Sequence, residues 1–398
     1  MSTQDVASTE PDVQTVISID PDSHHQLTDV QRLLFGAERP GTNPPPRKRR
    51  RGGKIYSGCG TCRTRKIKCD ERQPKCYNCE RSRIYVCDGF ENNSTASGSN
   101  LPLLESPEAS ERFSIRGICR DIEKPSAKRL KASGVEVVSA DLSSESDVRK
   151  VLTRASVVFL VTAYSSNSCN KKIEIDQGKN VARVSKELGI GHLIFSSLLS
   201  VTESTNGQLK HAQEFDSKAE VERFIRQFEK PATFVLPGFY MSLFTPGQYL
   251  TRSRQDAQLL QLEEPVSTSS TKSPLIDIDK DFGRSVVAAS LKRDSFLGKR
   301  VYAAQACYTL DEIAAVVNKF ELIHGFRCVT REVPDDEFLS QRPVSGSNTT
   351  ERQIEILDMY RFMRGPAYYL NGSLEMNQNI VGGLLVTYEE FVRNGGLI

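Results

Sequence analysis

Six cysteines within about thirty residues constrain this chain more than any other feature. They are Cys59, Cys62, Cys69, Cys76, Cys79 and Cys87, spaced C-x2-C-x6-C-x6-C-x2-C-x7-C. A C-x2-C pair grips one metal ion from a tight turn, and a further cysteine at short range helps to close a tetrahedral thiolate shell, the geometry of zinc. Two separate four-ligand sites need eight sulfurs. Six suffice if two of them bridge both ions, so the spacing predicts a two-zinc cluster with shared thiolates. So short a segment holds no adequate hydrophobic core, and the metal must supply its folding energy.

Between Cys62 and Cys69 lie Arg63, Arg65, Lys66 and Lys68. Cations at this density suit a polyanion: some neutralise phosphates, and others reach the paired acceptors on a guanine edge. Pro74 turns the chain between the two halves of the cluster. Two plainer readings stand beside this one, a disulfide framework and a zinc site of purely structural use. The first lacks a signal peptide or membrane span that would point to an oxidising compartment, and the second leaves the cations unexplained. Just upstream, Arg47-Lys-Arg-Arg-Arg51 and Lys54 form a basic run suited to nuclear import or to a flexible arm along the phosphate backbone; a merely solvated charge run is the alternative.

The stretch from Cys59 to Cys79, followed by Arg81-Ser-Arg-Ile-Tyr-Val-Cys87, resembles the fungal binuclear zinc cluster DNA-binding domain over residues 55–90. The resemblance implies that Cys59 and Cys76 bridge the two zincs. It also implies that Arg65 and Lys66, on a short helix after Cys62, read a CGG-like triplet in the major groove. It further implies a nuclear, sequence-specific regulator of RNA polymerase II genes. Arg65 stands where the family usually has lysine. No apolar heptads follow the cluster, so the coiled coil that often pairs such domains is not expected, and any dimer would form through the C-terminal region.

The full chain has 398 residues, 38% of them hydrophobic, and a net charge of only +3. There is room for one large domain, and the nucleic-acid character is local. Cys119, Cys169, Cys307 and Cys328 lack ligand spacing and read as ordinary thiols. No apolar run reaches membrane-spanning length. Residues 1–54, rich in Ser, Thr, Pro, Gln and Asp, read as disordered, and residues 91–112 as a linker.

From residue 113 to the end at 398 the texture becomes α/β. Strands are expected at 114–119, 135–140, 156–162, 192–197 and 232–236, with helices near 125–133, 145–154, 173–189 and 217–228 and further ones near 281–292, 309–320 and 350–362. Buried strands alternating with helices argue a parallel sheet with both faces covered.

Several pieces in the right order resemble the NmrA-like branch of the atypical short-chain dehydrogenases. They include Ile118-Cys-Arg-Asp121, Gly134-Val-Glu-Val-Val-Ser-Ala-Asp-Leu142, Gln177-Gly-Lys-Asn-Val-Ala182, His192-Leu-Ile-Phe-Ser-Ser197, Phe215-Asp-Ser-Lys-Ala-Glu-Val221 and Pro237-Gly-Phe-Tyr240. The resemblance implies a Rossmann-like dinucleotide sheet. Residues 108–113 look like the tail of that family's first helix. The first strand and its glycine-rich phosphate turn are expected to be missing, replaced by the linker and cluster.

The resemblance places Arg120 near an adenosine 2′-phosphate, Asp141 near the adenine and Lys218 near the nicotinamide ribose. Surface charge at strand ends is the alternative for the first two, and a solvated helix charge for Lys218. The tyrosine expected four residues before Lys218 is Glu214, so the proton-transfer pair is absent, and His211 beside Lys210 reads as an exposed loop residue. NAD(P) binding is therefore not expected, nor is enzymatic activity. The leading expectation is a zinc-dependent DNA-binding regulator whose NmrA-like region is a regulatory or interaction module. The alternatives are an NAD(P)-binding redox sensor or oxidoreductase, and a chimeric or exon-deleted chain.

Overall fold

A computed structural model describes residues 14–18, 106–162, 164, 171–228, 232–341, 349–381 and 385–397. At its centre lies a seven-stranded sheet in the order β11-β6-β5-β4-β1-β2-β3, with every neighbouring pair parallel. Its strands are β1 Gln14–Ser18, β2 Ser114–Cys119, β3 Glu136–Ser139, β4 Val157–Leu160, β5 His192–Ser196, β6 Ala232–Pro237 and β11 Arg300–Ala303. The chain runs outward from β1 to β3, returns to the other side of β1 as β4, and continues to β11. That reversal between β1 and β4 is the switch point at which doubly wound sheets form their ligand crevice.

The position of β1 corrects the expectation of a missing first strand. Thr15 pairs with Ile115 on one side and Val157 on the other. The strand lies in the stretch 1–54 read as disordered, upstream of the cysteines. The glycine-rich turn is a separate matter: Ile19-Asp-Pro-Asp22 follows β1, and the chain has no glycine until Gly36.

Helices cover both faces because the strands alternate. Val158 and Leu160 point into one core with Val148, Val151, Val181, Val184, Val221 and Ile225. These come from α3 Glu145–Leu152, α4 Lys171–Glu187 and α5 Gln213–Arg226. Val157 and Phe159 point into the other core with Ala109, Val286 and Val287, from α1 Pro107–Arg112 and α6 Gly283–Leu291. Each large apolar side chain so buried contributes roughly 1.5–3 kcal/mol. Helix α2 Pro125–Ala132 links β2 to β3.

Local signals set these boundaries. Ser144 caps α3 by accepting from the Asp147 amide at 3.3 Å, and Glu145 and Asp147 sit in its first turn. Gly178 lets α4 and α5 touch: a Cβ there would stand 2.6 Å from Val221. Residues 107–112, at the end of the expected linker, are helical in agreement with the helix-tail reading.

The C-terminal part adds two small sheets. One contains β7 Phe239–Tyr240, β10 Ser273–Ile276 and β12 Ala306–Tyr308; the other contains β8 Leu250–Arg252, β9 Leu259–Glu264 and β13 Arg327–Glu332. With them come α7 Leu310–Lys319, α8 Thr349–Arg364 and α9 Glu375–Val381. Among the described residues no helix is long and apolar enough to cross a membrane.

Candidate nucleic-acid segment and crevice

All six candidate zinc ligands, Cys59, Cys62, Cys69, Cys76, Cys79 and Cys87, lie outside the described residues, as do Arg63, Arg65, Lys66, Lys68 and the basic run at 47–51. Their chemistry rests on spacing and residue type.

Part of the crevice at the carboxyl ends of the strands lies among the described residues. Arg120 and Asp141 follow β2 and β3 and are exposed side by side at this edge. The Arg120 carbonyl accepts from the Ser139 hydroxyl at 2.9 Å. The Asp141 carboxylate accepts from the Ser143 amide at 2.8 Å, an Asx turn leading into α3.

Lys218 overturns the solvated-charge reading. It is 7% exposed, and its ammonium donates to Glu174 Oε1 at 2.6 Å and to the Thr162 carbonyl at 2.8 Å. Glu174 is fully buried and also accepts from the hydroxyls of Thr162, at 2.8 Å, and Ser217. The cation that the family resemblance puts beside a nicotinamide ribose is thus neutralised by a carboxylate and held to the end of β4. Such a pair persists because each charge is both partnered and hydrogen-bonded.

One turn upstream, Glu214 opens α5 with a half-buried side chain, and its amide donates to Glu355 Oε1 at 3.2 Å. Glu355, on α8, receives Arg352 Nη1 at 2.9 Å, and Arg352 stands 5.9 Å from the Tyr164 ring centre. Burial pushes the Glu355 carboxyl up to about 7, with Arg352 opposing and Glu214 adding to the rise. Burial likewise raises Glu214, against Lys218 and Arg352, and holds the Tyr240 phenol well above its usual range. The position that would carry a phenol proton donor is a carboxyl coupled to a second carboxyl.

His211 is an exposed loop residue as expected, yet it is tied down. Asp358, 2% exposed, accepts from its amide at 3.1 Å and contacts its Nδ1 at 2.9 Å, which fastens the loop before α5 to α8.

Among the described residues, the start of α1 is already capped. Ser106 caps α1 by taking the Ala109 amide at 3.2 Å, and Glu108 stands in the first turn. Asp20 and Asp22 follow β1 in the sequence. A pyrophosphate cradle needs open amides and close backbone approach instead.

Sequence reading missed Glu174, Arg352 and Glu355. The first had a signal. Glu174 shares the spacing of Gly178, Val181, Ala182 and Ser185, the buried stripe of α4, and a carboxylate there demands a partner. Arg352 and Glu355 lie far along the chain from Glu214, and no local pattern connects them.

The fold defines a doubly wound, dinucleotide-type α/β domain, carried with a cysteine-rich metal segment. The NmrA-like family matches residues 103–378 and the fungal Zn(2)-Cys(6) binuclear cluster domain matches residues 57–97. The chain belongs to the NmrA-like family and carries a binuclear zinc cluster domain, which implies DNA binding. An NmrA-like family domain-containing oxidoreductase of Aspergillus campestris is 29% identical over 255 residues, 61% of this chain and 72% of that protein. White-opaque regulator 2 of Candida albicans is 60% identical over 35 residues, 9% of this chain and 8% of the regulator. The crystal structure of NmrA, a negative transcriptional regulator, in complex with NADP superposes with a TM-score of 0.59 at 17% identity, covering 76% of this chain and 93% of that one.

Proposed function

We propose that this protein is a zinc-dependent, sequence-specific regulator of RNA polymerase II genes that binds CGG-like sites in the nucleus, with its NmrA-like region as a regulatory or interaction module. The observation that carries the reading is the six-cysteine spacing with Arg63, Arg65, Lys66 and Lys68 inside it. The nearby basic run fits the same role. For the α/β region, the buried Lys218–Glu174 pair and the acidic, serine-capped approach to the crevice support a non-catalytic use.

The test is a gel-shift titration with CGG-containing duplexes. Binding is expected to disappear in Cys59→Ala and on adding a strong chelator, and to fall steeply with salt. Binding that survives both the substitution and the chelator refutes the reading.

The second reading is an NAD(P)-binding redox sensor or oxidoreductase, favoured by the fold shared with an NADP-bound regulator and by Arg120 at the end of β2. Calorimetry separates the two: the first reading expects no heat of binding at millimolar NADP or NAD.

A further inference from the structure

We propose that the zinc cluster is an insertion inside the α/β domain, threaded through its first β–α connection, and that the strand ahead of it completes the sheet. The usual picture of such a chain is a DNA-binding head followed by a separate domain. The geometry points elsewhere. Strand β1 is internal, with Gln14 to Ile17 in register with Ser114 to Gly117 and Thr15 to Ser18 in register with Val157 to Leu160. Both pairings are parallel, so Ser18 ends on the same edge as Cys119 and Leu160. The chain re-enters at Ser106, forms α1 and passes through Phe113 directly into β2. Ala109 anchors α1 to the sheet face, 1% exposed among Val157 and Phe159. A strand, a helix and the adjacent parallel strand make one crossover unit. Residues 19–105, with the whole cluster match at 57–97, are one excursion from that unit.

The chain topology has three consequences. The family match that begins at residue 103 starts where the domain resumes, so the domain is split rather than truncated. A chimera or a lost exon is then not needed to explain it. The cluster is also tethered at both ends to the edge that carries the β1/β4 crevice. From Cys87 to Ser106 a fully extended chain reaches at most roughly 65 Å, which bounds how far from α1 the cluster can hold DNA. Finally, the end of β1 at Ser18 and the start of α1 at Ser106, rather than a free terminus, set where the DNA-binding segment is displayed.

Hydrogen exchange on the intact, zinc-loaded full chain tests the proposal without any reference to DNA binding. An internal strand shares the protection of its neighbours. The peptide covering residues 12–20 is expected to exchange on the order of a hundredfold or more slowly than an unstructured chain, comparably to the β4 peptide at 156–161. Exchange of residues 15–17 at the unstructured rate overturns the proposal. A second arm uses Val16→Pro, which removes an amide from a ladder position where proline is not tolerated. Protection at 156–161 is expected to fall at least about tenfold, because β4 loses its neighbour. Unchanged exchange at 156–161 and an unchanged melting temperature overturn the proposal equally. Neither measurement responds to whether the cluster binds DNA, so the two readings fail separately.

Discussion

The sharpest prediction concerns Lys218. A lysine at the surface of a helix can be replaced at almost no cost, whereas this one neutralises a fully buried carboxylate. In Lys218→Met the Glu174 side chain keeps the Thr162 and Ser217 hydroxyls but loses its only described cation. Removing one partner of a buried pair costs about 3–5 kcal/mol, because the remaining charge is stranded in a poorly polarisable site. For a domain of this size each 1 kcal/mol lowers the melting temperature by roughly 2–4 °C, so a fall of about 10 °C is expected. The assay is urea and thermal unfolding of the full chain, followed in the α/β region. Adding Glu174→Gln to Lys218→Met removes the stranded charge while keeping a hydrogen-bond acceptor. It should recover most of the loss, giving a coupling energy of about 2 kcal/mol or more in the double-mutant cycle. A Lys218→Met cost below about 1 kcal/mol, as for an exposed ion pair, would refute the reasoning.

Glu355 makes stability depend on pH. Its folded-state carboxyl sits at about 7, above the ordinary value of 4.5, so between those values the folded chain holds a proton that the unfolded chain has released. Stability should therefore fall as pH rises from 5 to 8, by at most about 3 kcal/mol, and Glu355→Gln should flatten that slope; an unchanged slope counts against the burial argument. Asp281, lifted by burial to about 6, acts in the same direction and leaves a residual slope in the variant. Gly178→Ala drives a methyl against Val221 and should cost about 1–3 kcal/mol, with Val221→Ala in the same chain restoring part of it in thermal melts. In DNA titrations, Arg65→Ala and Lys66→Ala should each cost about 1–3 kcal/mol on a CGG duplex and relax discrimination against mutated triplets; uniform weakening on all sequences would place them on phosphates instead.

Most of the central sheet was legible from the chain because its signals are local. Strands β2 to β6 and helices α2 to α5 appear within a few residues of their expected positions, since buried β-branched runs and amphipathic segments declare themselves. Strand β1 did not. Gln14-Thr-Val-Ile-Ser18 is five residues long, and its partners lie at the far side of the cysteine segment. Pairing across such a distance leaves no periodicity to read. The same limit hid a contact at the crevice: the Glu214 amide meets the Glu355 carboxylate only because α8 reaches the start of α5.

What the sequence alone carries is therefore the proposed metal chemistry. Thiolates that must converge on zinc are close along the chain, so their spacing is itself the site. Only the tertiary structure decided the state of the crevice and the unity of the domain. Whether Lys218 is a surface charge or a neutralised buried one depends on a carboxylate brought from another helix. Whether residues 14–18 are a disordered tail or the middle of a sheet depends on hydrogen bonds to strands formed far later in the chain. Burial and long-range pairing are properties of the assembled fold, and no stretch of sequence carries them alone.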